Sequence, residues 1–378
     1  MKRLLPFAMI LALASALSPA SAGMPEGATR TYYIAADEVN WNYVPGGTNH
    51  LTGKPYRAIG YFVGPGGKPV TRPVRTAYVK CLYREYADGS FGASKPPSLE
   101  WAHLGMLGPL IRAEVGDTIK IVYRNRCNFP NSIHGHGVLY AKDSEGAPYD
   151  DGTPGGVKPG DAIKPGQTYT YVWHVPERAG PGPNDPSSLL WMYHSHTNEY
   201  RDFNSGLMGP MIITARGKAK PNGSPNDVDR EFVVWFAQMH EEDSWYTKRN
   251  LPTLESDHTL PNFLTTDASA TVVYPYFVTF SINGYSFGNM PLRALTVNSG
   301  QRVRWYIMDG LNDFDFHTPH WHGNTVLIAG TRTDVASLAP MQMIEADMQP
   351  DSPGIWLLHC HVAFHNESGM NARYKVER

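Results

Sequence analysis

The sequence predicts an all-β protein built from two tandem β-sandwich domains. Alternating apolar and polar runs such as TIKIVYR, TYTYVWHV and RVRWYIM are separated by clusters of Gly, Pro, Asn and Asp, a pattern typical of short strands and turns. Long helical periodicity is absent, and 36 Gly and 31 Pro among 378 residues favour sandwich domains over helical ones. The chain also divides into two similar halves, so we expect one sandwich from each half.

The N-terminal segment, residues 1–22, has the composition of a cleaved export signal. Lys2 and Arg3 precede the apolar run LLPFAMILALASAL, and the segment ends in the triplet ASA. A membrane anchor is the alternative, but the run is short, and no other stretch reaches the roughly 18 to 20 apolar residues that cross a bilayer. We therefore expect an exported protein, periplasmic or secreted, with no membrane partner. The formal net charge of −2 provides no basic surface for a nucleic acid.

Export permits disulfide bonds, and Cys81 and Cys127 are the cysteines that remain once Cys360 is assigned elsewhere. They are 46 residues apart, and linking them would stabilise the fold by roughly 4 kcal/mol in the chain-entropy model. Two free buried thiols are the alternative.

The polar stretch GKAKPNGSPNDVD, residues 217–229, predicts a linker. It separates a first domain, residues 23–216, from a second domain, residues 230–378. Each half contains a turn and strand (EVGDTIKIVYRN; VNSGQRVRWYIM), then an HxHG element, and closes with Trp-x-x-His-x-His. The halves therefore repeat one weakly conserved plan, as two related domains would.

Four His-x-His elements occupy equivalent positions in the two halves. Alternate residues of a strand point to the same face, so both imidazoles of one element can approach one metal centre while the middle residue points away. Imidazole suits copper, zinc and iron. One such pair could be incidental, whereas four in related positions predict a metal cluster. The predicted cluster ligands are His134, His136, His194, His196, His320, His322, His359 and His361.

The segment WLLHCHVAFHNESGM near the C-terminus predicts a second metal site. Its cysteine stands between two histidines of one His-x-His element, so its side chain points to the opposite face and should bind a different metal. Two histidines, a cysteine and a weak axial methionine are typical of blue copper sites. The residues available for such a site are His317, Cys360, His365 and Met370. The strand backbone would connect it to the cluster over about 10 Å.

Together these motifs resemble those of the multicopper oxidases, and the two-domain members in particular. HGHG, HSH, HTPHWHG and HCHVAFHNESGM match the four family motifs, and HLGMLGPLIRAEVGD, SINGYSFGN and WLLHCHV resemble the ceruloplasmin and hephaestin branch. The resemblance covers nearly the whole mature chain. It implies two tandem cupredoxin-like Greek-key β-sandwiches that carry four coppers per chain. Such an enzyme couples oxidation of a small reducing substrate to the reduction of dioxygen to water.

The resemblance also assigns the copper ligands. Type 1 copper would be held by His317, Cys360, His365 and Met370, and type 2 copper by His134 and His320. The type 3 pair would be held by His136, His194, His196, His322, His359 and His361. In the first domain, Asn131, Ser195 and Tyr200 stand where His317, Cys360 and His365 stand in the second. We therefore expect one type 1 copper per chain.

Three residues are candidates for roles in catalysis beyond copper binding. Cys360 would conduct electrons to the cluster, while Tyr140 and Asp151 resemble a tyrosine and an acid found near the cluster in two-domain laccases. A carboxylate there could relay protons to oxygen intermediates. The alternative is that Asp151 is a turn residue and Tyr140 a packed aromatic.

The two-domain resemblance implies a homotrimer, with each cluster formed between neighbouring chains of a ring. Closure of the cluster within one chain is the alternative that the sequence leaves open.

For the substrate, we expect laccase-like oxidation of phenols or aromatic amines. Ceruloplasmin-type ferroxidases have metal-binding residues where this chain has Phe364, Pro275 and Phe280. Apolar walls suit an aromatic substrate. The alternative is a metallo-oxidase acting on ferrous or cuprous ions, and a different iron site could be built from Asp313, Asp315, Glu345 and Glu367. A copper nitrite reductase and a non-catalytic copper-binding protein are the remaining alternatives.

Overall fold

The computed structural model describes residues 27–57, 59–63, 69–73, 75–153, 156, 158–251, 273–275, 278–311 and 315–378, with only the backbone pairing of 59–63, 69–73 and 273–275. The predicted export signal therefore lies outside the described residues, as does Asp313. None of the described helices has the length and apolar character that a membrane span requires.

The first half of the chain contains twelve of the described strands and one short α-helix. In chain order they are β1 (Thr29–Asn42), β2 (Thr48–Asn49), β3 (Lys54–Pro55), β4 (Ile59–Val63), β5 (Pro69–Pro73), β6 (Ala77–Tyr86), β7 (Ile111–Glu114), β8 (Thr118–Asn125), β9 (His134–Gly135), β10 (Thr168–His174), β11 (Ser188–His194), α1 (Glu199–Ser205) and β12 (Met208–Thr214). Single 3-10 turns occur at Leu99–Leu104, Lys142–Ser144 and Glu177–Ala179.

Two four-stranded sheets form the first sandwich. Their strand orders are β10-β8-β1-β6 and β7-β12-β11-β9. Alternate residues of β8 are buried, with Ile119, Ile121 and Tyr123 fully inside, as expected of a strand with one face on a core. Residues from both sheets share one apolar cluster, to which Trp173 and Met211 also belong.

The second half contains the remaining described strands and two short α-helices. They are β13 (Arg230–His240), α2 (Thr247–Asn250), β14 (Val273–Pro275), β15 (Val278–Ile282), β16 (Thr296–Asn298), β17 (Val303–Asp309), β18 (Pro319–Trp321), β19 (Val326–Ile328), β20 (Thr331–Thr333), β21 (Met343–Met348), β22 (Gly354–Cys360), α3 (Ala363–Glu367) and β23 (Asn371–Glu377). Single 3-10 turns occur at Glu241–Asp243 and Leu292–Leu295.

The second sandwich pairs a six-stranded sheet, β15-β13-β17-β21-β19-β20, with a four-stranded sheet, β16-β23-β22-β18. A separate three-stranded sheet, β14-β4-β5, joins segments of both halves. Two tandem sandwiches confirm the predicted all-β fold class. The disulfide between Cys81 and Cys127 is also confirmed.

Polar contacts fasten the two sandwiches to each other. Arg112 donates two hydrogen bonds to Glu231, at 3.0 and 2.8 Å. Lys80 and Glu241 form a fully buried ion pair at 2.6 Å. The carboxylate of Glu345 accepts a hydrogen bond from the backbone nitrogen of Leu190, at 2.6 Å. These contacts hold one arrangement of the two halves within the chain, which bears on where the predicted cluster can form.

Candidate metal centre

The four predicted type 1 residues lie together in the second sandwich, and all four are buried. The Nδ1 atoms of His317 and His365 are 3.1 Å apart, and the Sγ atom of Cys360 lies 3.7 and 3.5 Å from them. Two imidazole nitrogens and a thiol sulfur thus converge on one point. This donor set fits a copper ion of the blue type.

A short helix brings the second histidine of this group back towards the cysteine. Helix α3 follows β22 after two residues, and it carries His365. The chain then turns at Gly369, whose φ of 109° is in the region that favours glycine and whose Cβ would meet the ring of Phe287. The turn allows the Cys360 backbone nitrogen to donate to the Met370 oxygen at 3.1 Å, which fixes the methionine beside the cysteine.

A carboxylate faces the outer nitrogen of each type 1 histidine. Asp315 lies 2.9 Å from Nε2 of His365, and its side chain is 41% exposed. Asp309 lies 3.5 Å from Nε2 of His317 and is fully buried. Although burial opposes the charged imidazole, hydrogen bonds with Asp315 and Cys360 raise the pKa of His365 to about 9. The Asp315 carboxylate therefore lies between the outer nitrogen of His365 and solvent.

The four predicted cluster histidines of the second half form one group. Strands β18 and β22 pair so that His320 lies opposite His359, with 3.2 Å between Nδ1 of the first and Nε2 of the second. Nε2 of His322 lies 3.1 Å from the same atom of His359. The ring of His361 is 5.1 Å from that of His320. We call this set the second-half group.

The four predicted cluster histidines of the first half form a matching group. His134 on β9 lies opposite His194 on β11, and Nε2 of His136 lies 3.0 Å from Nε2 of His194. The ring of His196 is 5.3 Å from that of His134. We call this set the first-half group.

Burial and hydrogen bonding prepare both groups for metal binding. In each group the histidine before the central residue points its Nδ1 at the next carbonyl oxygen: His194 at Ser195, and His359 at Cys360. This contact leaves Nε2 as the acceptor. Burial lowers the pKa of His136 and of His359 to about 4, so both rings are neutral at pH 7.

The two groups do not meet within one chain. Among the described residues, every close ring contact of a cluster histidine is to a member of its own half or to Tyr140. Each half therefore presents four imidazoles without the other four.

The first-half position that corresponds to the type 1 site is filled by a hydrogen-bonded polar cluster. Ser195 donates to Asp202 at 2.6 Å and accepts from the backbone nitrogen of Ser132 at 3.0 Å. Asn131 accepts from the hydroxyl of Tyr123 and donates to Asn125 at 3.1 Å. These partners use the polar atoms internally, so the cluster has no donor set for a blue copper ion.

The two residues predicted to relay protons lie in different surroundings. The ring of Tyr140 is 5.9 Å from that of His134. Asp151 lies between Lys158, at 2.8 Å, and Lys142, at 3.1 Å. It also accepts from the Thr153 backbone nitrogen, and hydrogen bonds from Lys158 and Thr153 hold its pKa well below the usual range.

Two acidic side chains and one backbone carbonyl approach the cluster histidines. Glu199 lies 3.9 Å from Nε2 of His194 and 3.6 Å from Nε2 of His196. The backbone oxygen of Glu145 is 2.8 Å from Nδ1 of His134. Asp334 lies 3.6 Å from Nε2 of His320. Sequence reasoning missed these acids, although the position of Glu199, three residues after the HSH element, was a usable signal.

The residues considered for substrate selection divide between two locations. Phe280 packs its ring 5.1 Å from that of His365 and 5.3 Å from that of Phe364, so an aromatic wall borders the type 1 site. Glu345 lies at the contact with Leu190 and not at this wall. Glu367 is exposed on α3, and of Pro275 only the backbone is described. Among the described acids considered for an iron site, Asp315 is the one that contacts a type 1 histidine.

Comparison with protein families identifies the chain. Two models, both described as "Multicopper oxidase", match residues 102–218 and 255–378. The chain belongs to the multicopper oxidase family. The matched regions contain the first-half group, the second-half group and all four type 1 residues.

The chain is similar in sequence to two known proteins and in fold to a third. Ferroxidase HEPHL1 of Homo sapiens is 40% identical over 361 residues, which are 94% of this chain and 30% of that protein. Ceruloplasmin of Ovis aries is 36% identical over 349 residues, which are 92% of this chain and 32% of that protein. The chain thus spans about a third of these relatives' length. The blue copper oxidase structure from Nitrosomonas europaea shares the fold, with a TM-score of 0.57 at 17% identity and coverage of 92% and 86% of the two chains.

Proposed function

We propose that this multicopper oxidase is a metallo-oxidase whose reducing substrate is ferrous ion. The observation that carries the proposal is the contact of the partly exposed Asp315 carboxylate with Nε2 of His365, at 2.9 Å. A carboxylate oxygen is a ligand for ferrous ion and favours the higher charge of the ferric product. The similarity to ferroxidase HEPHL1 also supports this activity over the laccase-like one predicted from sequence.

The donor sets fit four coppers, arranged as the family resemblance implies. His317, Cys360, His365 and Met370 would hold type 1 copper, the first histidine of each HxHG element would hold type 2, and the other six cluster histidines would hold the type 3 pair. Bound copper would supply one-electron oxidation of the substrate and reduction of dioxygen to water. The overall reaction converts four ferrous ions, one dioxygen molecule and four protons into four ferric ions and two water molecules.

The roles of the chain's own residues follow from their positions. Asp315 would bind the ferrous ion against His365, and the hydrogen bond between them would provide a short path for the electron. Cys360 binds on one side of β22 while His359 and His361 reach the other, so a few covalent bonds link the two sites. Glu199 and Asp334 are better placed than Asp151 to hold protons beside the cluster, because Asp151 forms ion pairs with two lysines.

We propose that the cluster is completed between neighbouring chains of a homotrimer. Four imidazoles from each half are needed, and within one chain the two groups make no contact among the described residues. A repeated head-to-tail contact closes a ring and joins the first-half group of one chain to the second-half group of the next. Ile355, which is 56% exposed, shares a strand face with His359.

The test of the substrate compares two substrates on fully copper-loaded protein. We expect Asp315→Asn to lower kcat/KM for ferrous ion about tenfold more than kcat/KM for dimethoxyphenol, because the variant loses the charge that binds the cation. The ratio of the two values cancels any change in the type 1 potential, which both substrates experience. Glu367→Gln, which removes a nearby exposed charge, is the matched control and should leave the ratio unchanged. Wild type that turns over the phenol much faster than ferrous ion would overturn the proposal.

Laccase-like oxidation of phenols is the second candidate, because Phe280 and Phe364 form an aromatic wall beside His365. The same experiment decides between the two. We also retain as proposals the division into residues 23–216 and 230–378 with a linker between them, and export through residues 1–22.

A further inference from the structure

A second cluster of possible metal ligands lies near the type 1 site, outside all four copper motifs. His240 is the last residue of β13, and it shares a strand face with Gln238 two residues earlier. Gln238 lies opposite Phe280 on β15, and directly opposed residues of paired strands share a face. Since the ring of Phe280 packs against His365, His240 lies on the side of the sheet that faces the type 1 site.

Three side chains converge at this point. One donor atom each of His240, Glu242 and Asp243 lies within 4.8 Å of the other two. Oε1 of Glu242 lies 2.9 Å from Nδ1 of His240. The hydroxyl of Tyr200 donates to Asp243 at 3.1 Å and holds that carboxylate in place. The tight 3-10 turn after β13 thus brings an imidazole and two carboxylates together.

An unsatisfied buried oxygen supplies a second reason to expect a cation here. Glu242 is 8% exposed, and its Oε2 atom is buried without a hydrogen-bond partner among the described residues. The side-chain amide of Gln238, on the same strand face as His240, lies 3.2 Å from Nε2 of that histidine. A buried carboxylate oxygen with no partner costs free energy that a bound cation would recover. Burial accordingly raises the pKa of Glu242.

The neighbouring acid differs from Glu242 in its charge partner, although its Oε2 atom is also buried without a hydrogen-bond partner among the described residues. Glu241 precedes Glu242 in the same turn, but its side chain takes a different direction and pairs with Lys80 at 2.6 Å. Its Oε1 also accepts from the hydroxyl of Tyr43 at 3.0 Å. Glu242 has His240 as its ion-pair partner instead. An imidazole can ligate a cation once it is neutral, whereas a lysine ammonium cannot.

We propose that His240, Glu242 and Asp243 form a divalent-cation site that holds ferrous ion next to the type 1 centre. One imidazole and two carboxylates suit ferrous ion and other divalent metals of its size. The site lies on the strand face that carries Phe280, whose ring packs against His365. This inference rests on the proposed metallo-oxidase function, because it assigns a holding site for the same substrate.

Redox-inert cobalt(II) tests the site on the copper-loaded protein. Calorimetric titration should detect a cobalt site that remains in Asp315→Asn, and Glu242→Gln should weaken binding at this site about tenfold or more. The same variant should raise KM for ferrous ion by a similar factor. Asp243→Asn, on a less buried side chain, is the second variant, and the type 1 absorption reports whether each is folded. Glu367→Gln is the matched control and should bind cobalt as wild type does.

The outcomes separate this inference from the proposed function. Absence of cobalt binding, or equal binding by wild type and both variants, overturns the site even if ferrous ion is oxidised. Loss of cobalt binding in both variants together with a raised KM for ferrous ion supports it. If cobalt binding depends on the triad but ferrous ion is not oxidised, the cation site stands and the proposed function fails.

Discussion

A mixing experiment tests whether each cluster forms between chains. One variant, His134→Ala/His136→Ala, disables the first-half group, and the other, His320→Ala/His322→Ala, disables the second-half group. Neither pair contributes to the type 1 site, so both variants should keep the type 1 absorption while losing oxygen reduction. In rings assembled at random from equal amounts, a junction is intact when an intact first half meets an intact second half. That occurs at about a quarter of the junctions of a head-to-tail ring.

Co-expression of the two variants should therefore restore about a quarter of the wild-type oxygen uptake per chain. Closure within one chain predicts no recovery at all, because every chain then carries one disabled group. The chain that bears all four substitutions is the matched control and should stay inactive when co-expressed with either variant. Light scattering on the same samples reports the assembly. An active monomer, or a mixture without recovery, would refute the interchain cluster.

Two further predictions concern stability. Replacing Cys81 and Cys127 together with Ser should lower the free energy of unfolding by about 4 kcal/mol, measured by denaturant titration, and a loss below about 1 kcal/mol would show that the crosslink constrains little. Burial raises the pKa of Glu345 from 4.5 to about 7, so its neutral form is favoured in the folded chain. The stability that neutral Glu345 contributes is fully present below the pKa of this residue in the unfolded chain, and it is lost as pH rises through about 7. In the wild type, the free energy of unfolding should fall between acidic and mildly alkaline pH, and Glu345 should account for up to about 3 kcal/mol of this fall. Glu345→Gln should therefore show a smaller fall, and an unchanged pH profile of the free energy of unfolding would contradict this assignment.

The fold and the grouping of the candidate metal ligands could be predicted because they depend on local periodicity. A strand exposes alternate residues to one face, so His-x-His spacing alone placed two imidazoles together, and the cysteine of HCH on the other side. The repeated motifs then identified which pairs belong to each group. The disulfide between Cys81 and Cys127 was predicted from the expected redox environment and from the spacing of the two cysteines that remain once Cys360 is assigned to a metal.

The acids around the metal sites could not be ranked from sequence, because their contacts depend on tertiary packing. Asp315, Glu345 and Glu367 were equivalent candidates for an iron site, yet only the first of these three contacts a type 1 histidine. Asp151 was chosen on a resemblance, and Glu199 was not considered; the lysines that contact Asp151 are seven and nine residues away in the chain. His240 itself stands outside every copper motif, so a surface or structural role is the default expectation from the sequence.

The first half contributes a contact between the sandwiches from the position that corresponds to the type 1 site. At this position Ser195 donates to Asp202, and the Trp245 indole donates to the other oxygen of that carboxylate at 2.8 Å. Tyr200, which replaces the second type 1 histidine, turns instead to Asp243 of the second half. The residue at the position of the second type 1 histidine is therefore a contact between the sandwiches, next to the proposed cation site. Because this contact joins α1 of the first half to the turn after β13 of the second, we expect Tyr200→Phe to loosen the contact between the sandwiches as well as the Asp243 carboxylate.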